Sequence, residues 1–509
     1  MILHYPSQER TLMRSTVETF GIIAWVILGV VPLHAEEGGI KPNWKETSFQ
    51  LNDNVRLDVD GYAYIGPFYT NSPPAVSSSS TYNSAYRTGE VVTGYSVANG
   101  GRTIRRTDPY PRGNEYSNEY ARTRPWFHLY MGENFSFHAR ADFMTGRIGE
   151  GKNYRSENVM DFGYFELKAK GFDLKVGMIS FADPLDEDWY DPTNFVLANN
   201  GGFGIAGDDE GRYRGHRADG YEGVMIATDD VFLPWRFRVG YFNMGHRYMS
   251  DEVNLYTGEA LYRIGERTKL RLYHYSVLDK DNTQFPGLGG KGSKMHYSGF
   301  QVVRAPDPLG FSLNAVYLGG ETNLQSRSLN RSAYAMHTTL DMRLAKDVTA
   351  GLKFTHTSGD NDPYDRKDSA FWGYDADYYE TYMFYDYGWA ETLNYEPTVI
   401  DPHTGTKLGL YLFGPYLKTS LPFISEKLKL DAGIYQIFSA KQSPAQYGGN
   451  GNRNVGMEFD ATFEYFITKH LSAMLELDYI NVGNLYDKPG AWGRSPNAWM
   501  AGAYMFYYF

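Results

Sequence analysis

The sequence predicts an all-β fold: a transmembrane antiparallel β-barrel of about 18 strands, with short periplasmic turns and long extracellular loops. Three observations carry this. Segments of about ten residues alternate apolar and polar side chains along most of the chain, as strands do when one face meets lipid and the other a wet interior. The breaks between segments are short, then long, then short again. A single apolar run, Phe20–Pro32, lies near the N-terminus and is shorter than the roughly 20 residues that a helix needs to cross a bilayer.

That run follows Arg14 and leads into Leu33, His34 and Ala35, the pattern of an export signal cleaved before Glu36. The expected organisation is a signal peptide over 1–35, an N-terminal extension over 36–54 and the barrel over 55–509.

The first segment, VRLDVD, sets Val55, Leu57 and Val59 against Arg56, Asp58 and Asp60. Further segments open near Tyr120, Phe135, Met160, Asp173, Gly220, Arg236, Leu255, Lys269, Met295 and Phe311. The twelfth, near Ala333, contains MHTTLDMRL, in which Met336, Leu340, Met342 and Leu344 share a face. The rest open near Val348, Lys407, Lys427, Val455, Leu471 and Trp499. The sixteenth, MEFDATFEYF, sets Met457, Phe459, Ala461 and Phe463 against Glu458, Asp460, Thr462 and Glu464. Tight breaks fall at Gly132, Lys170, Val231, Gly265, Pro306, Ala345, Pro422 and Ile467, with long ones such as 70–118, 182–219 and 358–406 between them. A soluble sandwich or propeller also alternates and turns often, but has no reason to alternate short and long connections. An even strand count puts both termini on the periplasmic side.

Composition agrees. Phe, Trp and Tyr make up 16% of a chain that is also 21% charged, and amphipathic rings suit membrane–water boundaries. The absence of cysteine excludes disulfides, thiolate nucleophiles and cysteine-ligated metals. A net charge of -11 with no basic run argues against nucleic acid as a partner.

The chain ends in WMAGAYMFYYF, with Ala501, Ala503, Met505, Tyr507 and Phe509 on one face. As the last strand it pairs with the first, removing both open edges. Terminal Phe509, Tyr507 two residues before it and apolar residues at every second position resemble the C-terminal assembly signature of bacterial outer-membrane barrels. The resemblance implies insertion into outer-membrane lipid by the barrel assembly machinery. Eighteen segments and the acidic loop SGDNDPYDRKDSAFWGYD, 358–375, are also similar to the alginate-export and related porin families. This implies a porin-like channel, with a homo-oligomer as an open option. The chain departs from that family in VGMISFADP, 176–184, which lacks an Arg-Gln pair.

Eighteen strands enclose more space than their own side chains fill. The alternation aims Arg122, Arg124, Arg140 and Lys168 into the lumen from segments two to four. Arg236, Arg238, Arg263, Lys269 and Arg271 follow from segments seven to nine. Glu458, Asp460, Glu464, Glu476 and Asp478, from segments sixteen and seventeen, make an acidic wall. Opposed walls set up a field that orients small hydrophilic or charged solutes, saccharides or organic anions among them.

Asp360, Asp362, Asp365 and Asp368 are spaced as oxygen ligands for calcium, without the glycine and final glutamate of a dedicated calcium loop. No other cofactor is expected. The acidic, glycine-rich stretch 183–211 would constrict the lumen by folding inward. Two rival functions compete. An outer-membrane enzyme needs a Ser/His or Asp/His set, and the 12 histidines show no such grouping. A structural sleeve around a periplasmic electron carrier would take its haem from the partner, since no CxxCH motif is present.

Overall fold

The computed structural model describes residues 47–70, 116–145, 157–179, 221–228, 234–243, 253–280, 292–323, 328–362, 365–371, 373, 398–401, 406–422, 424–486 and 497–508. Its strands, in chain order, are β1 (Thr47–Asn52), β2 (Val55–Thr70), β3 (Tyr116–Met131), β4 (Phe135–Thr145), β5 (Glu157–Ala169), β6 (Phe172–Ile179) and β7 (Tyr221–Thr228). Then come β8 (Trp235–Asn243), β9 (Val253–Ile264), β10 (Thr268–Asp279), β11 (Gly292–Arg304), β12 (Leu309–Asn323), β13 (Ser328–Ala345) and β14 (Val348–Thr357). The last are β15 (Lys367–Asp368), β16 (Val399–Ile400), β17 (Lys407–Leu421), β18 (Ser425–Phe438), β19 (Asn454–Thr468), β20 (Leu471–Val482) and β21 (Asn497–Tyr508).

Eighteen of these, β2–β14 and β17–β21, form one closed antiparallel barrel. Each pairs with its chain neighbours, β14 pairs with β17, and β2 meets β21 from Tyr62–Tyr508 to Thr70–Met500. Closure leaves no long unpaired edge among these strands, which is what lets a sheet sit in lipid. The eighteen strands are those that the alternation predicts.

The short strands complete the ends. β1, within the stretch read as an extension, pairs with the lower part of β2 from Thr47–Val59 to Asn52–Val55. It takes the edge of β2 that β21 leaves beyond Tyr508. Above β14, β15 runs parallel to β13, with Asn330 opposite Lys367 and Arg331 opposite Asp368. Arg331 Nη1 lies 2.7 Å from Asp368 Oδ2 and its Nε donates to Thr322 Oγ1 at 2.8 Å. The sheet thus continues past the end of β14 on residues of the following loop.

The outer wall carries the large apolar side chains. Phe165, Ile226, Val239, Leu272, Leu340 and Leu352 are all 42–57% exposed, on positions that alternate with buried ones. Exposed apolar surface on this scale, continuous around a closed barrel, is a lipid-facing band. Aromatic pairs edge it: Trp235 stacks on Phe237 at 6.1 Å near the short turns, and Tyr241 meets Tyr256 at 5.3 Å toward the long loops.

Gly409 shows how closely β17 approaches the loop. Its φ is +69°, and a Cβ there would lie 2.5 Å from the Thr357 carbonyl oxygen. Gly409→Ala should therefore cost about 1–3 kcal/mol in backbone strain, read as a lower unfolding midpoint in detergent. An unchanged midpoint would show that the loop gives way freely.

Candidate functional site: the barrel lumen

Inward residues fall into two layers. Toward the long loops the inner wall is rich in apolar side chains: Tyr221, Phe242, Leu255, Val277, Met295 and Leu410 are all fully buried, with Asp279 and Arg331 buried among them. Phe371, from the loop after β14, joins this layer and meets Tyr297 edge-on at 6.4 Å. The alternation suggested a polar interior along the whole length. Instead the loop folds over the inner wall, and the strands supply apolar partners for it. Most of the predicted charged groups lie nearer the short turns and at mid-height.

On the basic side, Arg238 of β8 and Arg271 of β10 converge on Glu259 of β9, between them. Arg238 Nη2 lies 2.7 Å from Glu259 Oε1, and Arg271 Nε lies 2.9 Å from Oε2. Tyr275 donates to Oε1 at 3.1 Å and accepts from Arg271 Nη2 at 2.6 Å. All three ionic side chains are at most 5% exposed. Two positive charges and one negative leave this group with one net positive charge. The other predicted bases of this wall lie nearer the rim: Arg263 is opposite Lys269 beside a turn, and Arg236 Nε donates to the Thr228 carbonyl at 3.2 Å.

On the acidic side, Glu458, Asp460, Glu464, Glu476 and Asp478 are all buried and inward. Asp460 sits directly opposite Asp478, and Glu476 opposite Thr462. Counting around the eighteen-strand ring, β8 is seventh and β19 sixteenth, so nine steps separate them either way. The bases of β8–β10 therefore face the acids of β19 and β20 across the barrel.

The remaining predicted bases are on neither wall. β3 and β4, second and third in the ring, flank the acidic strands rather than oppose them. Arg122 and Arg124 stand opposite Tyr64 and Tyr62 of β2, and their side chains lie outside the described residues. Arg140 is buried with its guanidinium 5.9 Å from the Trp126 ring. Lys168 is 56% exposed at the rim, 3.4 Å from Glu166.

β2–β6 carry a polar chain that the sequence reading missed. His128 Nδ1 is 2.8 Å from His138 Nδ1, and His138 Nε2 is 2.7 Å from Ser136 Oγ. Ser136 donates to Glu166 at 3.3 Å, Lys175 lies 3.9 Å from Glu166, and Asp60 lies 3.6 Å from His128 Nε2. The absence of any Ser/His or Asp/His grouping is therefore corrected. All six groups are 7% exposed or less, and Ser136 is shared between His138 and a carboxylate. Physically, this arrangement ties five neighbouring strands together through their buried side chains.

In the long loop, each predicted calcium ligand accepts a hydrogen bond. Asp360 takes the N–H groups of Asp362 and Ser369 at 2.8 and 2.9 Å, and Asp365 takes that of Lys367 at 2.7 Å. Asp362 takes the Tyr447 hydroxyl at 2.8 Å, and Asp368 pairs with Arg331. Among the described residues no three acidic or histidine groups converge on a metal-sized site. Burial holds the Asp360 carboxyl above its ordinary value of 3.8, although the two N–H donors pull it down. The folded loop thus binds this proton more tightly than the unfolded chain. Its contribution to stability is full below pH about 4 and is lost as pH rises through the raised value. Asp360→Asn should flatten this acid-side slope of the unfolding midpoint. A slope identical to wild type would assign it to other carboxylates.

At the C-terminus, Tyr507 is 52% exposed on the outer wall, 6.5 Å from the ring of His470 in the β19–β20 turn. Phe509, the stretch 183–211 and the signal peptide lie outside the described residues.

No family model matches this chain, and no curated protein matches it in sequence. Solved structures do match its fold. OccK2 (OpdF) of Pseudomonas aeruginosa superposes with a TM-score of 0.50 at 10% identity, covering 89% of this chain and 97% of that one. OccK5 (OpdH) and OprD of the same organism give 0.49, at 10% and 9% identity, with 89% of this chain covered in each case and 98% and 94% of theirs. At this identity the likeness to OccK2 establishes the fold alone, the closed antiparallel barrel described above.

Proposed function

We infer that the chain is an outer-membrane channel for small hydrophilic or charged solutes, organic anions and saccharides among them. The observation that carries this reading is the placement of two oppositely charged groups of side chains on opposite arcs of one closed ring. A low-dielectric wall focuses such a field across the lumen, so a polar solute crosses with its dipole aligned while an apolar one gains nothing. Arg140 adds positive charge on the flank of the acidic arc, where β3 also carries the strand positions of Arg122 and Arg124. The apolar layer near the long loops, with Phe371 in it, narrows the route and limits solute size. Insertion through the assembly machinery, with Tyr507 at the periplasmic boundary and Phe509 as the terminal residue of the assembly signature, completes the reading.

Liposome swelling tests it. Vesicles holding the purified barrel should swell in isotonic small sugars and organic anions at rates that fall with solute size. Vesicles that stay impermeable, together with co-purification of a haem protein from the periplasm, would favour the sleeve.

A further inference from the structure

The upper boundary of the outer wall is marked by tyrosines on both sides of one gap. Tyr241 and Tyr256 mark it on β8 and β9, and Tyr317 and Tyr334, 51% and 50% exposed, on β12 and β13. Between them, the outward positions of β10 and β11 hold His274, Ser276, His296 and Ser298. The register is continuous: Tyr256 pairs with Ser276 and Ser276 with His296, while His274 pairs with Ser298 and Ser298 with Tyr317. The aromatic girdle is thus replaced over two strands by hydrogen-bonding groups.

These groups form one network. His274 Nδ1 lies 2.8 Å from Ser298 Oγ and its Nε2 lies 3.1 Å from Ser276 Oγ. Ser276 Oγ lies 2.9 Å from His296 Nδ1, and the two imidazoles stack at 5.9 Å. The network fixes the ring of His296 and leaves its Nε2 without a partner among the described residues. Two residues further toward the long loops on the same face, Lys294 is exposed and forms no ion pair among the described residues. Register sets Glu321 opposite Lys294, and no ion pair joins them. Gly258 and Gly319, neighbours of His274 and His296 across the strands, raise no side chain beside the network.

We propose that this patch binds the phosphate of an outer-leaflet lipid headgroup, held between Lys294 Nζ and His296 Nε2. Acyl chains offer these groups nothing, whereas an anionic headgroup at girdle height offers acceptors and negative charge. The height also selects the source. The lipid's tails lie along the exposed Leu272 and Phe300 just below, adding apolar contact that free phosphate lacks. The inference rests on the outer-membrane reading of the barrel.

Native mass spectrometry of the detergent-purified chain, titrated with bisphosphorylated lipid A, tests it. A charge-assisted hydrogen bond lost from each of two groups should weaken binding at least about tenfold in the Lys294→Ala, His296→Ala double variant. Glu321→Gln should bind at least as well as wild type. Dephosphorylated lipid A should bind both proteins equally weakly. Equal binding of the phosphorylated lipid by wild type and double variant would overturn the site. Competition by inorganic phosphate at the concentration of the lipid would overturn the lipid as its ligand. Conductance separates this inference from the channel reading. A barrel that conducts but ignores the phosphate refutes the lipid site alone, and one that binds the lipid but never conducts refutes the channel alone.

Discussion

Glu259→Ala is expected to destabilise the barrel by about 3–5 kcal/mol, the range for removing one member of a buried ionic group. The carboxylate sits between two guanidiniums and a tyrosine hydroxyl, with contacts of 2.7, 2.9 and 3.1 Å. Without it, Arg238 and Arg271 face each other across β9 with no shared counter-charge, in a wall where neither is more than 5% exposed. The effect should appear as a reduced heat-modifiable fraction on gels and a lower unfolding midpoint. Glu259→Gln keeps one acceptor oxygen without the charge and should fall between. If Glu259→Ala melts with wild type, water reaches the two arginines and the group is not buried as described.

The second large effect is electrical. Asp460→Asn, Glu476→Gln and Asp478→Asn together replace three carboxyl groups of the acidic arc with neutral amides, with little change in volume. The basic arc of β8–β10 then dominates the lumen, and selectivity should move toward anions. The readout is the reversal potential under a salt gradient. In dilute salt the screening length is about 30 Å and spans the lumen, whereas at 1 M it is about 3 Å and the shift should fade. A shift that persists unchanged at 1 M would point to altered pore shape rather than charge.

Much of this was legible in the sequence because a strand has a period of two. Once MEFDATFEYF is read as a strand, Glu458, Asp460 and Glu464 must share a face, and burial places that face inward. Hairpin register is legible too. The β3–β4 hairpin closes with Met131 opposite Phe135, which by simple counting sets His128 opposite His138. The same count about the β9–β10 turn sets Arg271 opposite Leu261, which leaves Glu259 two positions away on the same face.

Other features were not legible. Asp460 faces Asp478 because the pairing shifts by one residue between Phe466 and Thr468, and no turn residue announces that bulge. The burial of Phe371 against Tyr297 depends on where a long loop settles, which alternation does not encode. β1 alternates like the others, but its Phe49 and Leu51 stay exposed, so no burial pattern distinguishes it from an extension. The patch at His274 and His296 breaks the outward apolar pattern, and becomes visible only when six strands, β8 to β13, are aligned side by side.

Single-channel recording of the purified wild-type barrel in a planar bilayer tests the central claim most directly. The account predicts discrete, stepwise conductance increments, with a reversal potential in dilute salt that collapses toward zero at 1 M. A correctly folded, heat-modifiable barrel that inserts and never conducts would contradict it.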